Sequence, residues 1–104
     1  MKLFLDDERF PPNDGEDWAI VRDVPEAIAY IEANGCPSFI SFDHDLGEDK
    51  KTGADLAKWM TECDMDMSGS FFPEDFDFYI HSQNPVGAAN IRGWLSGYLK
   101  WRNT

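Results

Sequence analysis

Four short apolar runs, each stopped abruptly, limit what this 104-residue chain can fold into. They are Lys2–Leu5, ended by Asp6-Asp7; Trp18–Val21; Phe39–Phe42, ended by Asp43-His44-Asp45; and Phe76–Ile80, ended by His81-Ser82. Runs of this length are too short for core helices, and they are nearly continuous rather than alternating. They read as buried strands of a parallel sheet. Helical segments fall between them. Pro25 opens one, with Ala27, Ile28 and Ile31 on one face and Gly35 as its stop. Thr52-Gly53-Ala54-Asp55 spells a capping box for a helix carrying Leu56, Trp59, Met60 and Cys63. Asn84-Pro85 starts the last helix, where Val86, Ile91, Trp94, Leu95, Tyr98 and Leu99 form a stripe expected to pack on the sheet.

Two stretches break the pattern. Arg9 to Asp17 holds Pro11-Pro12 and Asn13-Asp14-Gly15 and reads as loop. Residues 64–75 show no period; they are either a lid or binding loop, or a solvated connection pinned by Phe71 and Phe72. No linker or repeat divides the chain, so one domain over residues 1–104 is expected. Strands alternating with helices, joined by right-handed crossovers, make an α/β layer fold.

Nine Lys and Arg stand against 20 Asp and Glu, a net charge of −11. A broad basic face for long duplex nucleic acid or an anionic membrane is therefore not expected. One phosphate in a local pocket remains compatible with that balance. No apolar run is long enough to span a membrane, and acid interrupts the first residues before a signal-peptide core forms. Cys36 and Cys63 lack metal-ligand spacing and read as reduced thiols. A cytoplasmic location is expected on these grounds.

In parallel α/β sheets ligands bind beyond the carboxyl ends of the strands, which is where the polar residues of this chain cluster. Carboxylates crowded into one cleft repel; at 4 Å a pair costs about 4 kcal/mol at an effective dielectric of 20. Either some are protonated or a hard cation neutralises them. Asp6, Asp7, Asp43 and Asp45 are the candidate ligands, and an oxygen set with open water positions suits Mg²⁺ or Mn²⁺. The alternative is that these acids are merely solvated. Ser82, the Asn84 helix start, Gly87 and Arg9 are candidate phosphate contacts: a hydroxyl, backbone N–H groups at a positive dipole end, a glycine admitting an anion to the backbone, and a bidentate fork. Read singly, Asn84 is a cap and Arg9 a surface ion pair. His44 and His81 are the only histidines, and both lie at these strand ends. With Asp43 they are the catalytic candidates, as groups able to exchange protons with water or a leaving sugar oxygen.

With those residues in place, the chain resembles the receiver-domain superfamily of two-component signalling, with Asp6-Asp7, Asp43 and Ser82 at the motif positions. It is more similar to a divergent branch, the cyclic-phosphate-processing receiver-like domains, on the strings LFLDDERFPP, SFDHDLG and HSQNPVGAANI. The resemblance runs from residue 3 to about residue 100. It implies a compact three-layer receiver-like (flavodoxin-like) α/β fold with a mostly parallel four-stranded sheet in order 2-1-3-4. Two parts of a typical receiver are missing: the helix between strands 1 and 2, and a fifth strand bearing a phosphate-contacting Lys. Lys100 lies far down the last helix instead.

The resemblance further implies divalent-metal-dependent recognition or hydrolysis of a cyclic phosphate, on a 2′,3′-cyclic nucleotide or an RNA end, at the carboxyl edge. The alternatives are a pseudo-receiver that senses or accepts phosphate without turnover, and an acidic module that binds a protein partner. A toprim nuclease would also pair an acid after strand 1 with Asp-x-Asp after strand 3. It expects a helix where Pro11-Pro12 stands, and ranks last.

Overall fold

The computed structural model describes residues 1–102. Four strands, β1 (Lys2–Leu5), β2 (Trp18–Val21), β3 (Phe39–Phe42) and β4 (Asp77–Ile80), form one sheet in order β2-β1-β3-β4. All three pairings are parallel. Three helices connect and follow them: α1 (Val24–Asn34), α2 (Gly53–Asp66) and α3 (Pro85–Arg102). The receiver-like α/β class and sheet order expected from sequence are both present.

The helix ends follow the capping chemistry. Asp23 accepts from the Glu26 N–H at the start of α1, Pro25 sits in its first turn, and Gly35 closes it at φ 86°. The Asp55 carboxylate accepts from the Thr52 N–H at 2.8 Å, one arm of the capping box of α2. β4 begins one residue later than expected, because the Phe76 N–H turns back to the Pro73 carbonyl at 3.0 Å.

Register decides what the sheet buries. Leu3 pairs with Ala19 and Ile40, Leu5 with Val21 and Phe42, and Phe42 with Ile80. Side chains alternate across a strand, so these residues share one face. There they pack with Ala27, Ile31, Leu56, Met60, Ile91 and Leu95 in a single core. All three helices lie on that side. The steps β2→β3 and β3→β4 run in the same direction across the sheet, so their right-handed crossovers must stack on one face. A helix on the far face would come from a β1→β2 crossover or from an element after a fifth strand. Pro and Gly occupy the first, and the second is absent among the described residues. The third layer is therefore loop, the Arg9–Asp17 segment, and the sheet is not buried on both sides: Tyr79 of β4 is exposed.

The α3 stripe is narrower than its spacing suggests. Ile91 and Leu95 are fully buried, but Val86 and Trp94 face outward, with the Lys58 ammonium 5.7 Å from the Trp94 ring. α3 packs chiefly along α2, and a helix lying on another helix buries a thinner strip than one spread on a sheet.

Residues 64–75 are not a lid. α2 continues to Asp66, and Phe72 enters the core. Because this segment leads into β4, it lies at the amino edge of the sheet, opposite the acidic strand ends. Asp64, fully buried, anchors it by accepting from the Phe71 and Phe72 N–H groups at 3.0 Å each. The same carboxylate accepts from the Tyr98 hydroxyl at 2.6 Å and the Arg102 guanidinium at 3.1 Å. Cys36 and Cys63 are free thiols, and burial pushes Cys36 up to about 12. No helix among the described residues is long and apolar enough to cross a membrane.

Candidate functional site

The parallel register brings the site together. Beyond the last paired row, the Asp43 N–H donates to the Leu5 carbonyl and the His81 N–H to the Phe42 carbonyl, both at 2.9 Å, while the Asp6 N–H reaches the Val21 carbonyl. Asp6, Asp43 and His81 therefore follow β1, β3 and β4 side by side. One ligand atom from each lies within 4.8 Å of the others. Alternation turns them away from the helices, toward the far face.

Asp6 is fully buried and fully engaged. Its Oδ1 accepts from the backbone N–H groups of Glu8 (2.9 Å) and Arg9 (2.8 Å); its Oδ2 accepts from Arg9 Nε (2.7 Å) and His81 Nε2 (2.9 Å). Four donors account for the lone pairs of both oxygens. Burial pushes this carboxyl upward, but the N–H groups of Arg9 and Glu8, His81 and the Arg9 charge outweigh it and hold it below its ordinary range. As a metal ligand Asp6 would have to give up a donor. In this arrangement it orients Arg9 and His81.

Asp43 differs. Its Oδ1 accepts from the His44 N–H at 2.8 Å, and its Oδ2 lies 3.4 Å from Arg9 Nη2. Burial, with the nearby Asp6 charge, raises it above the usual carboxylate value against the pull of His44 N–H and Arg9. Arg9 thus supplies part of the neutralisation that carboxylate crowding demands. Arg22 pins this turn, donating to the Arg9 carbonyl at 2.6 Å and the Asp6 carbonyl at 3.1 Å.

Outside this layer opens a cleft of about 800 Å³, lined by Asp7, Asp43, Asp45 and Glu48 with Arg9, Ser82 and Asn84. None of these four carboxylates is saturated by four donors as Asp6 is, although among the described residues it is the trio Asp6, Asp43 and His81 whose ligand atoms converge within 4.8 Å. Asn84 caps α3 by accepting from the Gly87 N–H at 3.0 Å, and its amide points to Asp45 at 3.3 Å. The Ser82 hydroxyl accepts from the Asn84 N–H at 3.1 Å.

The two imidazoles are separated in role. His81 stacks on Phe4 (4.6 Å, 3° between planes), and its Nδ1 meets the Ser41 hydroxyl at 2.7 Å. With Asp6 accepting at Nε2, both ring nitrogens are engaged. His44 meets Asp45 through Nδ1 at 2.8 Å, and its Nε2 makes no hydrogen bond among the described residues. Hydrogen bonds from His44 and Asn84 hold Asp45 below the usual carboxylate value.

Gly87 does not open the backbone to an anion. It is buried, and an added Cβ would stand 2.2 Å from His44 Cγ, so the space is filled by the imidazole itself. Gly53 answers a similar demand, since a Cβ there would fall 2.0 Å from the Asp43 carbonyl oxygen. Gly87→Ala is expected to cost about 1–3 kcal/mol, the range for an overpacked site, and to move His44. Gly93→Ala, with nothing within 4 Å, should instead stabilise α3 by about 0.5–1 kcal/mol. Thermal melts of the two variants check the contrast; equal shifts would refute the packing argument.

Sequence reasoning missed Ser41, Phe4, Arg22, Gly53 and Glu48. Ser41 alone left a signal, as the polar residue inside the run Phe39–Phe42.

The sequence profile of the cyclic-phosphate processing receiver domain matches residues 1–97, which takes in every strand and every residue of the site. No curated protein and no solved structure gives a match. Since the profile spans nearly the whole chain, the chain belongs to the cyclic-phosphate processing receiver domain family.

Proposed function

We propose that the cleft takes a cyclic phosphate, on a 2′,3′-cyclic nucleotide or an RNA end, and with Mg²⁺ or Mn²⁺ opens it to a monoester. The observation that carries this reading is Asp43: a carboxylate raised by burial and by the nearby Asp6 charge, yet facing an open cleft with further acids and an arginine on its wall. A structural carboxylate is saturated with donors, as Asp64 is. One left short of them at an opening fits a site completed by a ligand.

Asp43, Asp7 and Asp45 would hold the cation, with Asp6 behind them fixing Arg9. The cation would polarise a phosphoryl oxygen. Arg9, Ser82 and the Asn84 amide would contact the remaining oxygens. In hydrolysis a water oxygen bonds to phosphorus and one P–O(ribose) bond breaks; water loses a proton and the ribose oxygen gains one. His44 would be the proton carrier: its ring packs on Gly87 and is not itself on the cleft wall, but Nδ1 is held by Asp45, which is, and Nε2 makes no hydrogen bond among the described residues. His81 acts as a positioning residue on Asp6.

³¹P NMR of the protein with 2′,3′-cyclic AMP, with and without Mg²⁺, tests the reading. Conversion to one monophosphate, dependent on Mg²⁺ and stopped by EDTA, is expected. Broadening without conversion would leave a sensor, and an unchanged spectrum in both conditions would refute a phosphate site.

A further inference from the structure

The face of the sheet that no helix covers is not smooth. Phe4, Trp18, Phe39 and Tyr79 border a groove of about 510 Å³, within the range of small-molecule sites. We propose that this groove seats a nucleobase, so that the compound whose phosphate enters the cleft is a nucleotide, free or terminal, and not a cyclic phosphate lacking a base. The proposal rests on the phosphate reading of the cleft.

Three observations support that occupant. The groove adjoins the cleft: Arg9 lines both, and His81 lines the groove while bonded to Asp6 behind the cleft. One ligand can therefore reach both. Its charge also runs against the rest of the chain. Lys2 and Arg9 line it with Asp14 as the one acid, in a chain where acids outnumber Lys and Arg 20 to 9. Such a groove suits an anionic aromatic ligand. Its aromatic walls, finally, are set before any ligand arrives. Trp18 meets Phe4 edge-on at 5.8 Å and Phe39 at 5.9 Å, and its indole N–H is held by Asp14 at 3.2 Å. Lys2, paired with Glu16 at 3.7 Å, stands 5.2 Å from both the Trp18 and Phe39 rings. Fixed rings beside cationic groups are a stacking platform for bases. Tyr79, 61% exposed, is the ring open to an added base, and Phe10, 73% exposed, flanks it with the Arg22 guanidinium 4.9 Å from one face of its ring.

The test follows the Trp18 indole and the Asp43 and Asn84 amides by ¹⁵N NMR during titration with three probes. These are 2′,3′-cyclic AMP, adenosine, and methyl ribofuranoside 2,3-cyclic phosphate, which has no base. The expected result is that cyclic AMP shifts groove and cleft, adenosine the groove alone, and the baseless compound the cleft alone. Phe10→Ser and Tyr79→Ser, both exposed and so tolerated by the fold, should each weaken cyclic AMP about 5–150-fold, the stacking range per base, and leave the baseless compound unaffected. Equal affinity for both cyclic phosphates in all three proteins would overturn the groove proposal and leave the cleft reading standing. Cyclic phosphates that never shift the cleft would overturn the cleft reading, and the nucleotide assignment with it. Groove resonances that move on dilution, not with adenosine, would mean that a second copy covers this face, and would also overturn the proposal.

Discussion

Asp43→Asn is expected to raise the melting temperature of the metal-free protein while slowing Mg²⁺-dependent opening of a cyclic nucleotide by about 100-fold or more. The two effects have one cause. Burial and the Asp6 charge raise the Asp43 carboxyl, so the folded chain holds its proton to higher pH than the unfolded chain does. Between those two values the folded state binds more protons, and stability falls as pH rises. At neutral pH the ionised carboxylate is a burden on the fold. Asparagine removes the charge but keeps an oxygen to accept the His44 N–H. It also removes the anionic ligand that the proposed cation requires. Added Mg²⁺ should therefore raise the melting temperature of the native protein and leave that of Asp43→Asn where it was. Glu32→Gln, exposed on α1, is the control for both measurements. A variant that loses stability and keeps its activity would make Asp43 an ordinary structural acid.

The contrast between Asp43 and its neighbours shows which parts of the site were legible in the sequence. Strand ends were, because each apolar run stops at a polar residue, and parallel pairing then puts Asp6, Asp43 and His81 in one row. The identity of the pairs within that row was not. Whether Arg9 meets a phosphate or Asp6 depends on a turn closed by two backbone N–H groups on Asp6, and residue types alone do not reveal such a turn. Gly87 shows the same limit. Next to Asn84-Pro85 a glycine suggests a bare backbone, but the space belongs to His44, 43 positions earlier in the chain. The helix-free face was half legible. Pro11-Pro12 ruled out the first helix, yet the consequence for Phe4, Trp18, Phe39 and Tyr79 needs the direction of each crossover.

Asp64→Ala is expected to be the most damaging single change outside the site, costing about 3–5 kcal/mol. Within a total of about 5–15 kcal/mol for a domain, that removes a large share. The substitution strips one carboxylate from four partners that stay behind: the Phe71 and Phe72 N–H groups, the Tyr98 hydroxyl and the Arg102 guanidinium. Each is left short of an acceptor in or near the core, and Arg102 keeps a charge without its counterion. The effect spans three elements, since Asp64 is on α2, its backbone donors precede β4, and Tyr98 and Arg102 close the end of α3. A midpoint lower by about 12 °C or more is expected for a domain of this size. Acid should have the same effect on the native protein. Burial pushes Asp64 upward, but Tyr98, the Phe72 N–H and Arg102 together hold it below its ordinary value. As pH falls through the ordinary carboxylate range toward that lower value, the unfolded chain takes up a proton that the folded chain does not yet bind, and stability drops. Asp64→Ala should flatten this part of the acid limb, leaving Asp6 as the next buried carboxylate to act in the same way. A melt series between pH 3 and pH 7 measures both. An unchanged acid limb, or a midpoint within a degree or two of the native protein, would show that the Asp64 network does not hold α2, α3 and the Phe72 segment together.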